Sequence, residues 1–166
     1  GFTDPARVFI QSFECANLRA LADDVLPRAG LEVPLIQLVE PEGAPRDFVL
    51  AGDPRGYADL LDAAGCEFVA TYAQGLGVPK SLVLSGAPPR RPSPLVATAH
   101  ACGLDVHVWT FRAENRFLPP HLRRGDDDAG HGDLRGEIRE FLDAGVDGLF
   151  ADHPDVAVEV LLNRTR

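Results

Sequence analysis

Strand and helix signals alternate along this chain from one end to the other, and no tight hairpin signature joins consecutive strands. Apolar, β-rich runs occupy Arg7 to Phe13 (RVFIQSF), Pro34 to Val39 (PLIQLV), Leu104 to Phe111 (LDVHVWTF) and Val146 to Ala151 (VDGLFA). A weaker strand plus turn falls within Gln74 to Val83 (QGLGVPKSLV). Between them, apolar residues recur at helical spacing: Leu18, Leu21, Ala22 and Val25 within Cys15 to Leu26, then Ala58 to Tyr72 with a break near Gly65. The spacing also predicts helices over Leu95 to Cys102 and over Leu134 to Ala144, where Leu134, Ile138, Phe141 and Leu142 share a face. Pro27 with Gly30, Gly103 and Gly145 mark helix ends, and Asp152 followed by Pro154 marks the start of a closing helix. Pro41 to Gly56 and Arg112 to Gly132 read as long connections, of the kind that carry function or move. Strands that alternate with helices pair in parallel through right-handed crossovers, so the prediction is an α/β sheet of five strands. Periodicity leaves open whether that sheet is an open, doubly wound one or part of a barrel. A complete (β/α)8 barrel needs about 250 residues, and this chain has 166.

The formal net charge of -9 argues against nucleic acid as a partner, because phosphate neutralisation needs clustered Lys and Arg. It argues equally against docking on an anionic membrane surface. No apolar run approaches the length of a membrane span, which is about 20 residues. Three cysteines, Cys15, Cys66 and Cys102, are widely spaced and form no zinc pattern; each lies in an apolar helical context and reads as a buried thiol. The chain opens on Gly1 and contains no methionine, which raises the expectation that it was cut from a longer polypeptide.

Five segments in series resemble the GlpQ-like branch of the glycerophosphodiester phosphodiesterases. They are IQSFECANLRAL, PLIQLV, TYAQGLGVPKSLV, HACGLDVHVWTFRAENRFLP and EIREFLDAGVDGLFADHPDVAVE, in the family's order and with sensible gaps. The chain departs from the family pattern at Ala151, where Thr is usual, at His153, where Phe is common, and at Gln74, where Asp is usual. The resemblance implies a partial TIM (β/α)8 barrel of the phosphatidylinositol-phospholipase type, made of about the last five β/α units, with residues 1–166 as its C-terminal portion. It implies hydrolysis of glycerophosphodiesters to glycerol 3-phosphate and an alcohol. In the family a divalent cation, Ca²⁺ or Mg²⁺, is held by carboxylates of early strands, and a His-Arg-Gly motif and a His-Asp motif supply the acid–base histidines. None of these motifs occurs here. The expectation is therefore a fragment with no catalytic residue and no metal ligand of its own, inactive in isolation, whose partners are a glycerophosphodiester and either the missing barrel half or a second copy. A non-enzymatic partial-barrel interaction module is the alternative. The resemblance is compatible with a periplasmic or secreted location, which the residues do not fix.

Barrel active sites gather at the C-terminal ends of strands. Residues expected there make the candidate substrate-binding set: Phe13, Gln37, Lys80, Trp109, Thr110 and Arg112. Trp109 reads either as a wall of the substrate pocket or as core packing. Arg112 offers a guanidinium fork for phosphate, against the alternative of a surface arginine. His107 alternates with Val106 and Val108, so it faces away from them and reads as structural. His153 follows Asp152 near a strand end and is the only histidine to test for proton transfer, which is the minor reading of it. Asp126-Asp127-Asp128 lacks the alternating ligands of a calcium loop and reads as a solvated acidic turn.

Overall fold

The computed structural model describes Asp4 and residues 7–164. Its main sheet contains β1 (Ile10–Ser12), β2 (Leu35–Leu38), β3 (Gly75–Pro79), β6 (Asp105–Phe111) and β7 (Gly148–Ala151). All pairings are parallel, and the spatial order β1-β2-β3-β6-β7 follows the chain without reversal. That order separates the two readings that periodicity left open and agrees with the partial barrel that the resemblance implies. A doubly wound sheet reverses direction at a switch point and carries helices on both faces. Right-handed crossovers that always step the same way put every helix on one face. The result is a curled half-barrel, the arrangement expected of a partial barrel of this family.

The core lies between the sheet and its helices. Leu35, Leu76, Val78, Val106 and Val108 point from the strands into a cluster with Leu18, Cys66, Val69, Ala99, Ile138 and Phe141. Their strand neighbours Ile36, Leu38 and His107 point to the concave face. Glycines thin that face where neighbours need the space. A Cβ on Gly77 would run into Leu38, and one on Gly148 into the His107 ring.

The helices follow the predicted spacing, with informative differences. The first begins as α1 (Cys15–Ala20), continues through a π-helical stretch at Leu21–Val25, and ends as α2 (Leu26–Ala29). It therefore runs past Leu26 and through Pro27. Proline lacks an N–H and crowds the carbonyl four residues back, and the wider π turn accommodates both. Gly30 then stops the helix at φ 65°. The connection expected to be irregular over 41–56 contains a short helix, α3 (Arg46–Ala51). Its N-terminus is capped from a distance: the Glu14 carboxylate accepts from the Arg46 and Asp47 amides at 3.1 and 2.6 Å. In return, Asp47 accepts from the Ala16 amide at 2.6 Å in the first turn of α1. Each helix is capped by an acid from the other's first turn or cap position, which favours both N-termini.

After a 3-10 turn at Tyr57–Leu60, helix α4 (Ala63–Ala70) starts with Asp62 capping the Gly65 amide at 2.8 Å. The predicted break thus falls at Asp62, while Gly65 lets the helix lie directly against the backbone of Asp59 and Leu60. Beyond β3 come α5 (Lys80–Val83) and a small antiparallel pair, β4 (Leu84–Ser85) with β5 (Arg91–Pro92). This pair is a ribbon inside a connection that the absence of hairpin signatures did not anticipate; it has only two residues a side. Helices α6 (Leu95–Ala101), α7 (Leu134–Asp143) and α8 (Pro154–Arg164) complete the layer.

Candidate functional site

The concave face narrows at the C-terminal ends of β1, β2, β6 and β7 into a hollow of about 190 Å³ lined by Gln11, Phe13, Leu38, Trp109, Thr110 and Phe150. Phe13 meets the Trp109 ring edge-on at 6.3 Å and Tyr57 at the same distance. The pairing of β6 with β7 shifts register between Val108 and Phe111. This irregularity lets both Trp109 and Thr110 face the hollow while Phe111 returns to the helices, against Phe141 at 5.1 Å. The Trp109–Thr110 peptide is cis. Trp109 Nε1 is buried without a hydrogen-bond partner. A larger depression of about 580 Å³ between Leu26, Leu31, Leu35 and Tyr72 lies at the opposite, N-terminal end of the strands, away from these groups.

Three of the six predicted substrate-binding residues, Phe13, Trp109 and Thr110, come together in this hollow. Arg112 sits just beyond the end of β6. Its Nε donates to the Asp152 carboxylate at 2.6 Å, and its guanidinium lies 4.6 Å from the Phe117 ring. The pair is well exposed, so the guanidinium can exchange this partner for another anion.

Gln37 and Lys80 are placed elsewhere. Gln37 is fully buried on the helix side of β2. Its amide nitrogen donates to the carbonyls of Ser12, Phe13 and Leu38 at 3.3, 3.1 and 2.9 Å, and its oxygen accepts from the Tyr72 hydroxyl at 2.9 Å. It ties the end of β1 to β2. Lys80 turns into the helix layer, where Nζ lies 2.9 and 3.0 Å from the two oxygens of Glu137 and donates to the Phe117 carbonyl at 3.2 Å. Gln11, Leu38 and Phe150 line the hollow without having been nominated. The alternation in VDGLFA carried a signal for Phe150, since Leu149 and Ala151 pack on the core side.

The histidines divide by environment. His107 is buried on the concave face, with the Phe9 and Phe150 rings 4.9 and 6.2 Å away, and burial pushes its imidazole below the ordinary range despite the Asp105 and Asp147 carboxylates. It packs between the Phe9 and Phe150 rings. His153 lies just past β7, and its ring meets the His131 ring edge-on at 5.2 Å.

Among the described residues, no group of three or more His, Cys, Asp or Glu side chains is placed to hold a metal ion. Asp152, the acid at the end of β7, stands apart from other carboxylates in an exposed pair with Arg112. The residues present therefore do not fit a divalent cation, and no step is assigned through one. The hollow offers aromatic walls, the Gln11 amide and the Thr110 hydroxyl, with the Arg112 guanidinium beyond the end of β6.

Comparisons with known proteins agree with this architecture. Residues 1–156 match the model of the glycerophosphoryl diester phosphodiesterase family. A glycerophosphodiester phosphodiesterase of Haemophilus influenzae is 27% identical over 172 residues, covering 93% of this chain and 42% of the relative. One from Arabidopsis thaliana is 35% identical over 99 residues, covering 58% of this chain and 24% of the relative. A crystal structure from Silicibacter pomeroyi DSS-3, assigned as a glycerophosphoryl diester phosphodiesterase, shares the fold with a TM-score of 0.51 at 23% identity, over 96% of this chain and 39% of that one. The chain thus spans well under half the length of the relatives it matches. On the match that runs through nearly all of its strands and helices, the chain belongs to the glycerophosphoryl diester phosphodiesterase family.

Proposed function

We propose that residues 1–166 form the later half of a barrel that hydrolyses glycerophosphodiesters to glycerol 3-phosphate and an alcohol, and that this half supplies one wall of the substrate cleft. The observation that carries the reading is the hollow of Phe13, Trp109, Thr110 and Phe150 at the C-terminal strand ends, where barrels of this kind place their sites. Hydrolysis of a phosphodiester requires charge neutralisation on the phosphoryl oxygens and a proton for the leaving alkoxide. Trp109 Nε1 donates to a ligand oxygen, and Arg112 turns from Asp152 to a phosphoryl oxygen. Phe13 and Phe150 pack the substrate's carbon skeleton. Gln37 and Lys80 hold the wall in shape from behind. The divalent cation implied by the family, Ca²⁺ or Mg²⁺, would be held by ligands on other strands of the complete barrel, which would also carry the acid–base histidines.

Edge strands β1 and β7 have no second neighbour among the described residues. Such edges, beside a partly apolar concave face, favour pairing with a preceding barrel half. The test combines this chain with the preceding barrel half of the Haemophilus influenzae relative and follows glycerophosphocholine hydrolysis with and without chelator. A one-to-one complex with chelator-sensitive turnover, and no turnover by this chain alone, is the expected result. Chelator-sensitive turnover by the 166-residue chain alone would overturn the assignment of the machinery to other strands. A folded chain that never associates would favour a non-enzymatic interaction module.

A further inference from the structure

Helix α4 precedes β3 and helix α6 follows it, and the two pack against one another in the helix layer. Each brings a cysteine to their seam. The Cys66 thiol donates to the Leu60 carbonyl and the Cys102 thiol to the Ala63 carbonyl, both at 3.8 Å. Ala63 and Cys66 are three residues apart on α4, so they share a face of that helix. Both sulfurs therefore lie over its first turn, and the two side chains are in hydrogen-bonding contact with one another. Thiols are weak donors, and bonds of this length are readily given up. Cys15 stands apart: it is 1% exposed, on α1, with Tyr72 as its hydrogen-bonding neighbour.

The seam is open to small molecules from outside. Ala63 and Thr98 help to line a depression of about 560 Å³ beside it, and Thr98 stands one turn before Cys102 on α6. Cys66 is fully buried, whereas Cys102 is half-buried. A small reagent thus meets Cys102 first, and the thiol within reach of the adduct is Cys66.

We propose that Cys66 and Cys102 form an oxidisable dithiol, which a low-molecular-weight disulfide such as oxidised glutathione converts to an intramolecular disulfide joining α4 to α6. The Cys102 thiolate attacks one sulfur of the reagent, forming a mixed disulfide and expelling one reagent thiolate, which takes up a proton. The Cys66 thiol then loses its proton to solvent, and its sulfur attacks the Cys102 sulfur and expels the second reagent thiolate. Two electrons pass from the cysteine pair to the reagent, which leaves as two thiols. Burial keeps Cys66 protonated at neutral pH, which assigns it the second and slower step. The new bond lies in the helix layer, across the sheet from Trp109 and Thr110, so it staples the wall without entering the concave face.

The test incubates the folded 166-residue chain with oxidised glutathione at about pH 8, near the ordinary thiol range. The bonds are then mapped by mass spectrometry after digestion without reductant. A Cys66–Cys102 cross-link is expected, with Cys15 free and no glutathione retained; in urea the same reagent should scatter among all three cysteines. Cys66→Ser should stop at a mixed disulfide on Cys102, and Cys102→Ser should leave Cys66 reduced. A folded parent chain that stays reduced, that keeps glutathione on Cys102, or that pairs Cys15 as readily as Cys66 would overturn the proposal. That parent map decides the question should either variant fail to fold, and it requires no turnover of a diester.

Discussion

Replacing Lys80 by Met removes an ammonium while keeping the length of the stem, and the cost follows from what is left behind. The Glu137 side chain is 1% exposed and Lys80 19%. Without the ammonium at 2.9 and 3.0 Å, a carboxylate remains enclosed in α7 without its cation. Removing one partner of a buried pair costs about 3–5 kcal/mol. In a domain of this size that lowers Tm by roughly 6–20 °C, at about 2–4 °C per kcal/mol. Glu137→Gln leaves a lysine that still reaches water and the Phe117 carbonyl, so its loss should be nearer about 1–2 kcal/mol. The pH dependence follows from the same geometry. Burial holds the Glu137 carboxyl above the usual glutamate range even with Lys80 beside it. A carboxyl raised in the fold contributes stability that is fully present below its unfolded value and is lost as pH rises through its folded value. Without Lys80 the folded value rises further, so the deficit of Lys80→Met should shrink when pH falls from about 8 toward about 5.5. Urea denaturation followed by circular dichroism at both pH values measures this. Equal losses for the two variants, or a Lys80→Met loss independent of pH, would refute the reasoning.

Gly65→Ala should cost more than about 3 kcal/mol, beyond the usual range for overpacking, because the new Cβ meets the Asp59 carbonyl and the Leu60 backbone. Gly30→Ala, with φ 65° but open space around it, should cost about 1 kcal/mol in the same thermal melts. His107, lowered by burial, contributes stability that is present above the ordinary histidine range and lost as pH falls through its folded value; His107→Gln should flatten the acid limb of the stability curve in denaturant titrations. Burial pushes the Cys66 thiol up to about 11 and raises Cys15 as well. Iodoacetamide at neutral pH should therefore label half-buried Cys102 first, and mass spectrometry showing equal labelling of all three would contradict the packing around α4.

Much of the fold was legible because it is local. Alternation of Val106 and Val108 with His107 placed the imidazole on the face opposite the core, where it lies. Helix ends fell at Gly30, Gly103 and Gly145, each of which has a positive φ that other residues rarely adopt. The amphipathic stretch predicted over 134–144 matches α7 within a residue. The candidate site was half legible. Phe13, Trp109 and Thr110 converge in one hollow, because strand-end position is a local property once the strands are recognised. The partners of Gln37 and Lys80 were not legible, since Tyr72 and Glu137 lie 35 and 57 residues away in sequence. The same holds for α3, whose N-terminal amides are met by Glu14 from 32 and 33 residues earlier.

The order of amino acids by itself determined that strands alternate with helices, which face of each strand is apolar, and where each helix must stop, because backbone sterics and hydrophobic period act over a few residues. The tertiary structure showed that the strands step always the same way, into the half-barrel that the resemblance implied and periodicity left open, and it alone decided which polar strand-end groups are tied into the wall. Those outcomes depend on contacts between segments that no short window of sequence contains.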